Sequence, residues 1–146
     1  MKLGSLINNL ENLPRVVKQE VDQMVLDNAA DLNREQLRKG VRGDDKPVQF
    51  PNGRTTYSPS YKKKKQRLGK QNKHIDLKLS GEFHESIETK KRGENRYENT
   101  SSDTLYTGKL REVFTDKVLD LGTDATKKLD EIISKGIIKL IFKKVK

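Results

Sequence analysis

The sequence has no cysteine and no tryptophan, and it has only two histidines among its 146 residues. Without cysteine there are no disulfide scaffolds, thiolate metal sites or cysteine nucleophiles. His74 and His84 belong to no metal-ligating pattern of the HExxH type. The phosphate-binding patterns GxxxxGK[ST] and GxGxxG and the hydrolase pattern GxSxG are also missing. We therefore predict a protein that is not an enzyme and that has no cofactor.

Apolar residues are scarce as well. Hydrophobic residues make up 32% of the chain and charged residues 36%, whereas an ordinary globular chain is about 25% charged. No apolar run approaches the roughly 18 residues of a membrane span, and the first ten residues lack the apolar segment of a signal peptide. We expect one domain over residues 1–146, made in the cytosol, without a membrane partner. Its own core should be small, so that some apolar surface is buried only in an assembly.

Positive charge is concentrated in the middle of the chain. The net charge is +10, and residues 41–80 carry eleven basic but only three acidic side chains. Within them, residues 62–73 read KKKKQRLGKQNK, with seven basic residues and no acidic one. Such a run favours contact with phosphates or with an acidic protein face, and a solvated surface arm is an equally open alternative. The candidates for phosphate contact are Lys62, Lys63, Lys64, Lys65, Arg67, Lys70 and Lys73.

Apolar periodicity predicts long helices towards both ends of the chain. The first covers residues 14–39, with Leu13 on its apolar stripe, Pro14 at its first position and Gly40 as its stop. The last begins at a cap provided by Thr123 or Asp124. Its tail, residues 136–145, fits a continuous helix or a strand, and we favour the helix. A further helix is expected over residues 103–118, with these residues on its apolar side: Leu105, Tyr106, Leu110, Val113 and Phe114.

The segments between these helices are expected to be shorter. Residues 48–50 and 54–57 flank an Asn-Gly turn and predict a small hairpin. Ser58 as N-cap and Pro59 in the first turn predict a lysine-rich helix that ends by Gly69.

The next stretch changes character. Apolar and polar residues alternate over residues 75–80, which predicts a half-buried strand or extended segment. A short helix over residues 82–87 should follow. After it, residues 88–92 and 96–100 predict a polar hairpin that projects from the body or pairs with another subunit.

Two of these stretches resemble a known family. Residues 56–61 read TYSPSY before the lysine-rich helix, and residues 75–87 read IDLKLSGEFHESI after it. This order is similar to the phage virion morphogenesis or tail-completion family, in the form seen in Bacteroidetes phages. The resemblance covers roughly residues 50–90. Tyr57 stands where the family usually has tryptophan, the gap after the helix is short, and the C-terminal tail is unusually apolar.

The resemblance implies an α+β fold, with long N-terminal and C-terminal helices packed on a small antiparallel sheet. Residues 42–73 would form an extended basic loop that acts as an assembly arm. It also implies a structural subunit of the virion at the head–tail junction or tail end, assembled in the bacterial host cytoplasm. Such a subunit would be a tail-completion, terminator or neck protein that forms a homo-oligomeric ring.

Its partners would be portal, connector or tail tube subunits, with non-specific contact to packaged double-stranded DNA. The expected assembly residues are Tyr57, Pro59, Tyr61, Lys62, Lys63, Lys64, Lys65, Gly81, Phe83 and Ile87. Tyr57, Phe83 and Ile87 are equally expected to serve the protein's own core. The alternative function is a small basic nucleic-acid-binding protein, with Tyr57 and Tyr61 available for base stacking.

Overall fold

The computed structural model describes residues 15–104 and 106–144, and it confirms the predicted α+β class. Two long helices enclose a middle region that contains a single two-stranded antiparallel sheet among the described residues. The helices and strands are α1 (Arg15–Arg38), α2 (Pro59–Arg67), α3 (Glu82–Ser86), β1 (Ile87–Gly93), β2 (Arg96–Ser101), α4 (Arg111–Phe114) and α5 (Thr123–Lys144).

Helices α1 and α5 pack against each other in antiparallel orientation. The N–H of Gly122, at the start of α5, donates to Gln36 Oε1 near the end of α1 at 2.7 Å, whereas Gly136 packs on Met24. Spacings of three and four residues place one apolar stripe of each helix between them. The buried residues of this helical cluster are Val21, Val25, Ala29, Leu32, Tyr97, Leu121, Ala125, Leu129 and Ile133.

Both predicted long helices are present. Leu13 and Pro14 lie outside the described residues, and α1 ends at Arg38 ahead of Gly40, whose φ is +72°. Helix α5 continues through Gly136 to Lys144, so the continuous helix is correct and the strand alternative is wrong over the described tail. Its cap differs from the prediction. Thr123 is already the first helical residue, and its N–H donates to Asp45 Oδ1 at 2.7 Å.

The polar hairpin forms as predicted but does not project. Ile87 pairs with Ser101 and Lys91 with Tyr97 across the two strands. Because side chains alternate along a strand, Tyr97, Asn99 and Ser101 share one face, and all three are buried. The Tyr97 ring joins the helical cluster, so this face covers the protein's own helices.

The single helix expected over residues 103–118 is wrong. A π-helical turn (Tyr106–Leu110), α4 and a 3-10 turn (Asp116–Val118) replace it, and Leu105 lies outside the described residues. Thr115 has a φ of +60°, which a continuous helix cannot contain. Phe114, before the break, and Val118 and Leu119, after it, are all buried in the core.

The remaining loop predictions need correction. Residues 48–57 form no paired strands; a tight turn closes instead where the Phe50 N–H donates to Arg54 O at 2.9 Å. Residues 75–79 are likewise unpaired, and Asp76, which strand alternation would place towards solvent, is only 4% exposed. Residues 42–73 are not an extended arm, because Val48, Tyr57 and Lys65 are buried against the body.

Candidate functional site

The two segments that carry the family resemblance, residues 56–61 and 75–87, are here named the motif segments, and they meet around the hydroxyl of Tyr57. This hydroxyl donates to Asp76 Oδ1 at 2.9 Å and accepts the backbone N–H groups of Asp76 at 3.2 Å and Leu77 at 3.1 Å. The Tyr57 hydroxyl thereby uses its one donor and both of its acceptor positions. Tryptophan, which has a donor but no acceptor, could not make these contacts. The tyrosine at position 57 therefore has a structural role in this chain that a tryptophan could not fill.

Lys65 lies inside this cluster. Its side chain is 0% exposed, and Nζ lies 2.5 Å from Asp76 Oδ1 and 4.6 Å from the centroid of the Tyr57 ring. Ser58 caps α2 by accepting the Tyr61 N–H, as predicted, and thereby fixes which face of α2 points inwards. Lys65 follows Tyr61 by four residues and so shares its face. Lys65 is therefore unavailable for phosphate contact or for a subunit interface, which corrects both predictions for this residue.

Burial and hydrogen bonding in this cluster fix the protonation states of Asp76 and Tyr57. Burial raises the pKa of the Asp76 carboxyl, but hydrogen bonds from Lys65, from Gln71 and from the backbone N–H of Lys78 outweigh it, and the net pKa is lowered. Burial, followed by the adjacent Asp76 charge, raises the pKa of the Tyr57 phenol. Tyr57 therefore stays neutral while Asp76 stays ionised. The arrangement locks the loop rather than activating a nucleophile.

His84 joins α3 to the same loop. Its Nε2 lies 2.6 Å from Asp76 O, while Nδ1 is buried without a hydrogen-bond partner among the described residues. Burial lowers the pKa of His84 against the raising effect of Asp76. The neutral imidazole therefore donates from Nε2. On the other side of α3, Arg34 Nε donates to His84 O at 2.6 Å and ties this short helix to α1.

An apolar groove of about 430 Å³ opens beside this cluster. The ring centroids of Phe50 and Phe114 are 5.3 Å apart, and those of Tyr57 and Tyr61 are 4.8 Å apart. The Arg54 guanidinium lies 5.0 Å from the Phe50 centroid. The main apolar lining is Phe50, Tyr61, Leu77, Phe83, Leu110 and Phe114, and charged lining comes from Arg54, Glu82 and Asp103.

Four of the predicted assembly residues line the groove together: Tyr57, Tyr61, Gly81 and Phe83. Ile87 is 1% exposed and belongs to the core beneath them, and Pro59 is exposed at the start of α2. Tyr57 and Phe83 are themselves only 8% and 5% exposed, so they also serve the core.

The remaining basic candidates face outwards or bind within the chain. Lys63, Lys64, Arg67 and Lys73 are exposed and Lys62 is half-buried. Lys70 Nζ donates to the Leu79 carbonyl. Sequence reasoning did not assign Phe50, Arg54, Leu110 or Phe114 to the site. Phe50 and Arg54 are far from Leu110 and Phe114 along the chain, so no local sequence pattern indicated that they line the same groove.

A second apolar surface lies at the end of α5. Ile138 and Ile141 are each 53% exposed and Phe142 is 69% exposed. Their spacing of three and four residues places them on one helix face, here named the α5 stripe. The opposite face, with Leu129 and Ile133, is buried in the helical cluster. Within the apolar tail, Ile137 is partly buried against the helical cluster, whereas Ile138, Ile141 and Phe142 face solvent.

Within residues 15–104 and 106–144, no group of three or more His, Asp or Glu side chains is arranged to hold a metal ion. None of the helices described there has the length and hydropathy needed to cross a membrane. Comparison of the chain with protein-family models, with curated proteins and with solved structures finds no match.

Proposed function

We propose that the protein is a structural subunit of a phage virion that acts by protein–protein contact at the head–tail junction or the tail end. It would serve there as a tail-completion, terminator or neck ring subunit, with portal, connector or tail tube proteins as neighbours. One observation carries the proposal: the two motif segments that resemble this family meet in space and form one wall of an apolar groove.

The character of the groove supports binding rather than catalysis. Aromatic side chains around a desolvated pocket are typical of the anchor positions of protein interfaces. The ionisable groups nearby, Lys65, Asp76 and His84, are covered and mutually bound, so they hold the wall in place. The opposite face of α2 presents Lys63, Lys64 and Arg67 to solvent, where they can meet an acidic face of a neighbouring subunit.

The direct test is immunogold labelling of density-banded particles from a phage lysate, with antibody against this protein. We expect label at the head–tail junction or at the tail end. If intact particles carry no label and all of the antigen is in the soluble fraction, the proposed structural function is refuted.

A charge-reversal variant tests the role of α2. Lys62, Lys63 and Lys64 are changed to Glu, and Lys65 is left intact because its replacement would destabilise the protein by breaking the buried pair with Asp76. We expect a folded subunit that fails to enter particles. The matched control reverses three exposed lysines elsewhere, Lys46, Lys90 and Lys127, and should still assemble. Normal incorporation of the α2 variant would mean that this charge has no part in assembly.

Nucleic-acid binding is the second candidate, favoured by the exposed Lys63, Lys64 and Arg67. The buried position of Tyr57 opposes it, because a ring that is 8% exposed cannot stack on a base. We expect only weak DNA binding without sequence preference in a fluorescence-anisotropy titration over a range of salt concentrations. Tight DNA binding at physiological salt, with an affinity that falls steeply as the salt concentration rises, would make nucleic-acid binding the preferred function.

A further inference from the structure

The α5 stripe is an apolar surface that nothing within residues 15–104 and 106–144 covers. Phe142 and Ile141 are the most exposed large apolar side chains of α5, together with Ile138. Residues at positions i, i+3 and i+4 on one helix face are the anchors by which an amphipathic helix enters a hydrophobic groove. The stripe therefore has the pattern of a helical ligand.

The same chain also carries a groove of the matching kind. Its volume of about 430 Å³ lies within the range of roughly 300–1,000 Å³ typical of ligand pockets. Its walls are formed by aromatic and aliphatic side chains such as Phe50, Leu110 and Phe114. One chain thus presents both a helical apolar ligand and a receptor for it.

The two surfaces cannot meet within one molecule. The α5 stripe follows Gly136, which packs on Met24 in the first half of α1. The groove is built on the cluster that packs on Leu37, at the other end of α1. At a rise of 1.5 Å per residue, Met24 and Leu37 are about 20 Å apart along this helix. Helix α5 is continuous over this distance, so its stripe can only reach the groove of another copy.

Acidic residues outnumber basic ones in the lining of the groove, whereas the exposed charged residues next to the α5 stripe are basic. Lys135 and Lys139 are exposed next to the α5 stripe. Among the charged residues that line the groove, Glu82 and Asp103 are acidic and Arg54 is basic, and Glu85 is exposed nearby on α3. Opposite charges at the rim set the orientation of a docked helix and exclude wrong partners.

We propose that the groove of one subunit receives the α5 stripe of a second copy of this chain. The contact joins two different faces, so it is heterologous and generates a closed ring or an open filament. The inference rests on the proposed function, since it supplies the contact through which a virion ring of this subunit would form.

The test uses two complementary variants of the full chain. Phe142→Glu disables the stripe and leaves the groove intact. Ser80→Trp fills the groove from an exposed lining position and leaves the stripe intact. Gln19→Glu, at an exposed position of α1 rather than of α5, is the control for added charge. Sedimentation equilibrium measures the mass of each over a range of concentrations, and circular dichroism checks that each is folded.

We expect the wild type and Gln19→Glu to self-associate. Each of the other two variants should be monomeric, with a loss of association of at least tenfold. An equimolar mixture of the two should form a dimer and nothing larger, because one intact stripe then meets one intact groove. That complementation is specific to a heterologous contact.

Three results would overturn the proposal. The first is a wild type that remains monomeric up to millimolar concentration, which would leave the groove to a different virion protein. The second is unchanged association of Phe142→Glu, and the third is a mixture that fails to dimerise. Labelled particles combined with any of these would keep the proposed function and reject only the self-contact. Self-association of the wild type, combined with particles that carry no label, would keep the self-contact and reject the proposed virion function.

Discussion

The protein has two hydrophobic clusters that share α1 but are built on different principles. The helical cluster joins α1 to α5 and consists of apolar side chains at helical spacing. The second, here named the motif cluster, is assembled mainly from loops and α3, around Tyr57, Ile75, Phe83 and Phe114. Within the described residues, the buried lysine and the buried aspartate both lie beside the motif cluster.

The difference follows from how each region satisfies its backbone. A helix bonds its own N–H and C=O groups, so apolar side chains are sufficient to pack it. Residues 75–79 have no partner strand, and their N–H groups need side-chain acceptors. The Tyr57 hydroxyl and the Asp76 carboxylate provide them. Buried polar groups are therefore what allows an irregular segment to form the fixed wall of a groove.

The largest expected effect comes from Lys65→Met. This change leaves the Asp76 carboxylate buried without its cation, and breaking a buried pair costs about 3–5 kcal/mol. Urea unfolding should show a lower midpoint by the corresponding amount. Lys64→Met is the matched control at the adjacent, exposed position and should change stability by less than about 0.5 kcal/mol. Equal effects of the two variants would contradict the burial of Lys65.

Tyr57→Phe should have the next largest effect. It removes the acceptor of two backbone N–H groups, and each unsatisfied buried group costs about 1–3 kcal/mol. The comparison is Tyr97→Phe in the helical cluster, where the hydroxyl donates to Asp22 and supports no loop backbone. This second change should cost about 1.5–3 kcal/mol, the range for one hydrogen bond to a charged group, which is less than the combined cost of two unsatisfied N–H groups. Denaturant unfolding of both variants checks the order, and the reverse order would refute the role assigned to Tyr57.

The sequence allowed the helical cluster to be predicted but not the motif cluster. Regular spacing identified α1 and α5, and turn residues identified the cap at Ser58 and the hairpin. The run of four lysines gave no sign that Lys65 is buried, because composition does not reveal helix facing. Its position four residues after Tyr61 was the signal that could have shown it. The groove depends on contacts between distant loops, and no local pattern encodes those.

The motif cluster should also respond to mild acid. Burial lowers the pKa of His84; Lys78 and Arg38 add to that effect and Asp76 opposes it. A lowered folded-state pKa gives stability that is complete above the ordinary value of 6.5. That stability is lost as the pH falls through the lower pKa of the folded protein. We expect stability to decline between pH 7 and pH 5, by less than the cost of Tyr57→Phe.

His84→Gln provides the control for this decline. Glutamine retains an N–H donor near Asp76 O but does not titrate. Urea unfolding at a series of pH values should then give a flatter profile for this variant in the same range. An identical slope in both proteins would assign the acid sensitivity to other groups.

The smallest expected effect tests how each cluster accommodates added volume. A Cβ on Gly136 would overlap Sδ and Cε of Met24, which form the end of a flexible side chain. A Cβ on Gly40 would lie 2.5 Å from the His74 ring, at a φ of +72° that disfavours any side chain. Gly136→Ala should therefore change stability by less than about 1 kcal/mol, since the gain in helix propensity of about 1 kcal/mol offsets the displacement of Met24.

A double-mutant cycle separates these two contributions. Met24→Ala removes the side chain that Gly136→Ala would displace, so in that background the glycine replacement should stabilise the protein by the full helix-propensity gain of about 1 kcal/mol. Thermal or urea unfolding of the four proteins in the cycle gives the coupling between the two positions. A coupling near zero would mean that Gly136 does not set the approach of α5 to α1. A positive coupling would show that the helical cluster adjusts through one flexible side chain, where the motif cluster has no such freedom.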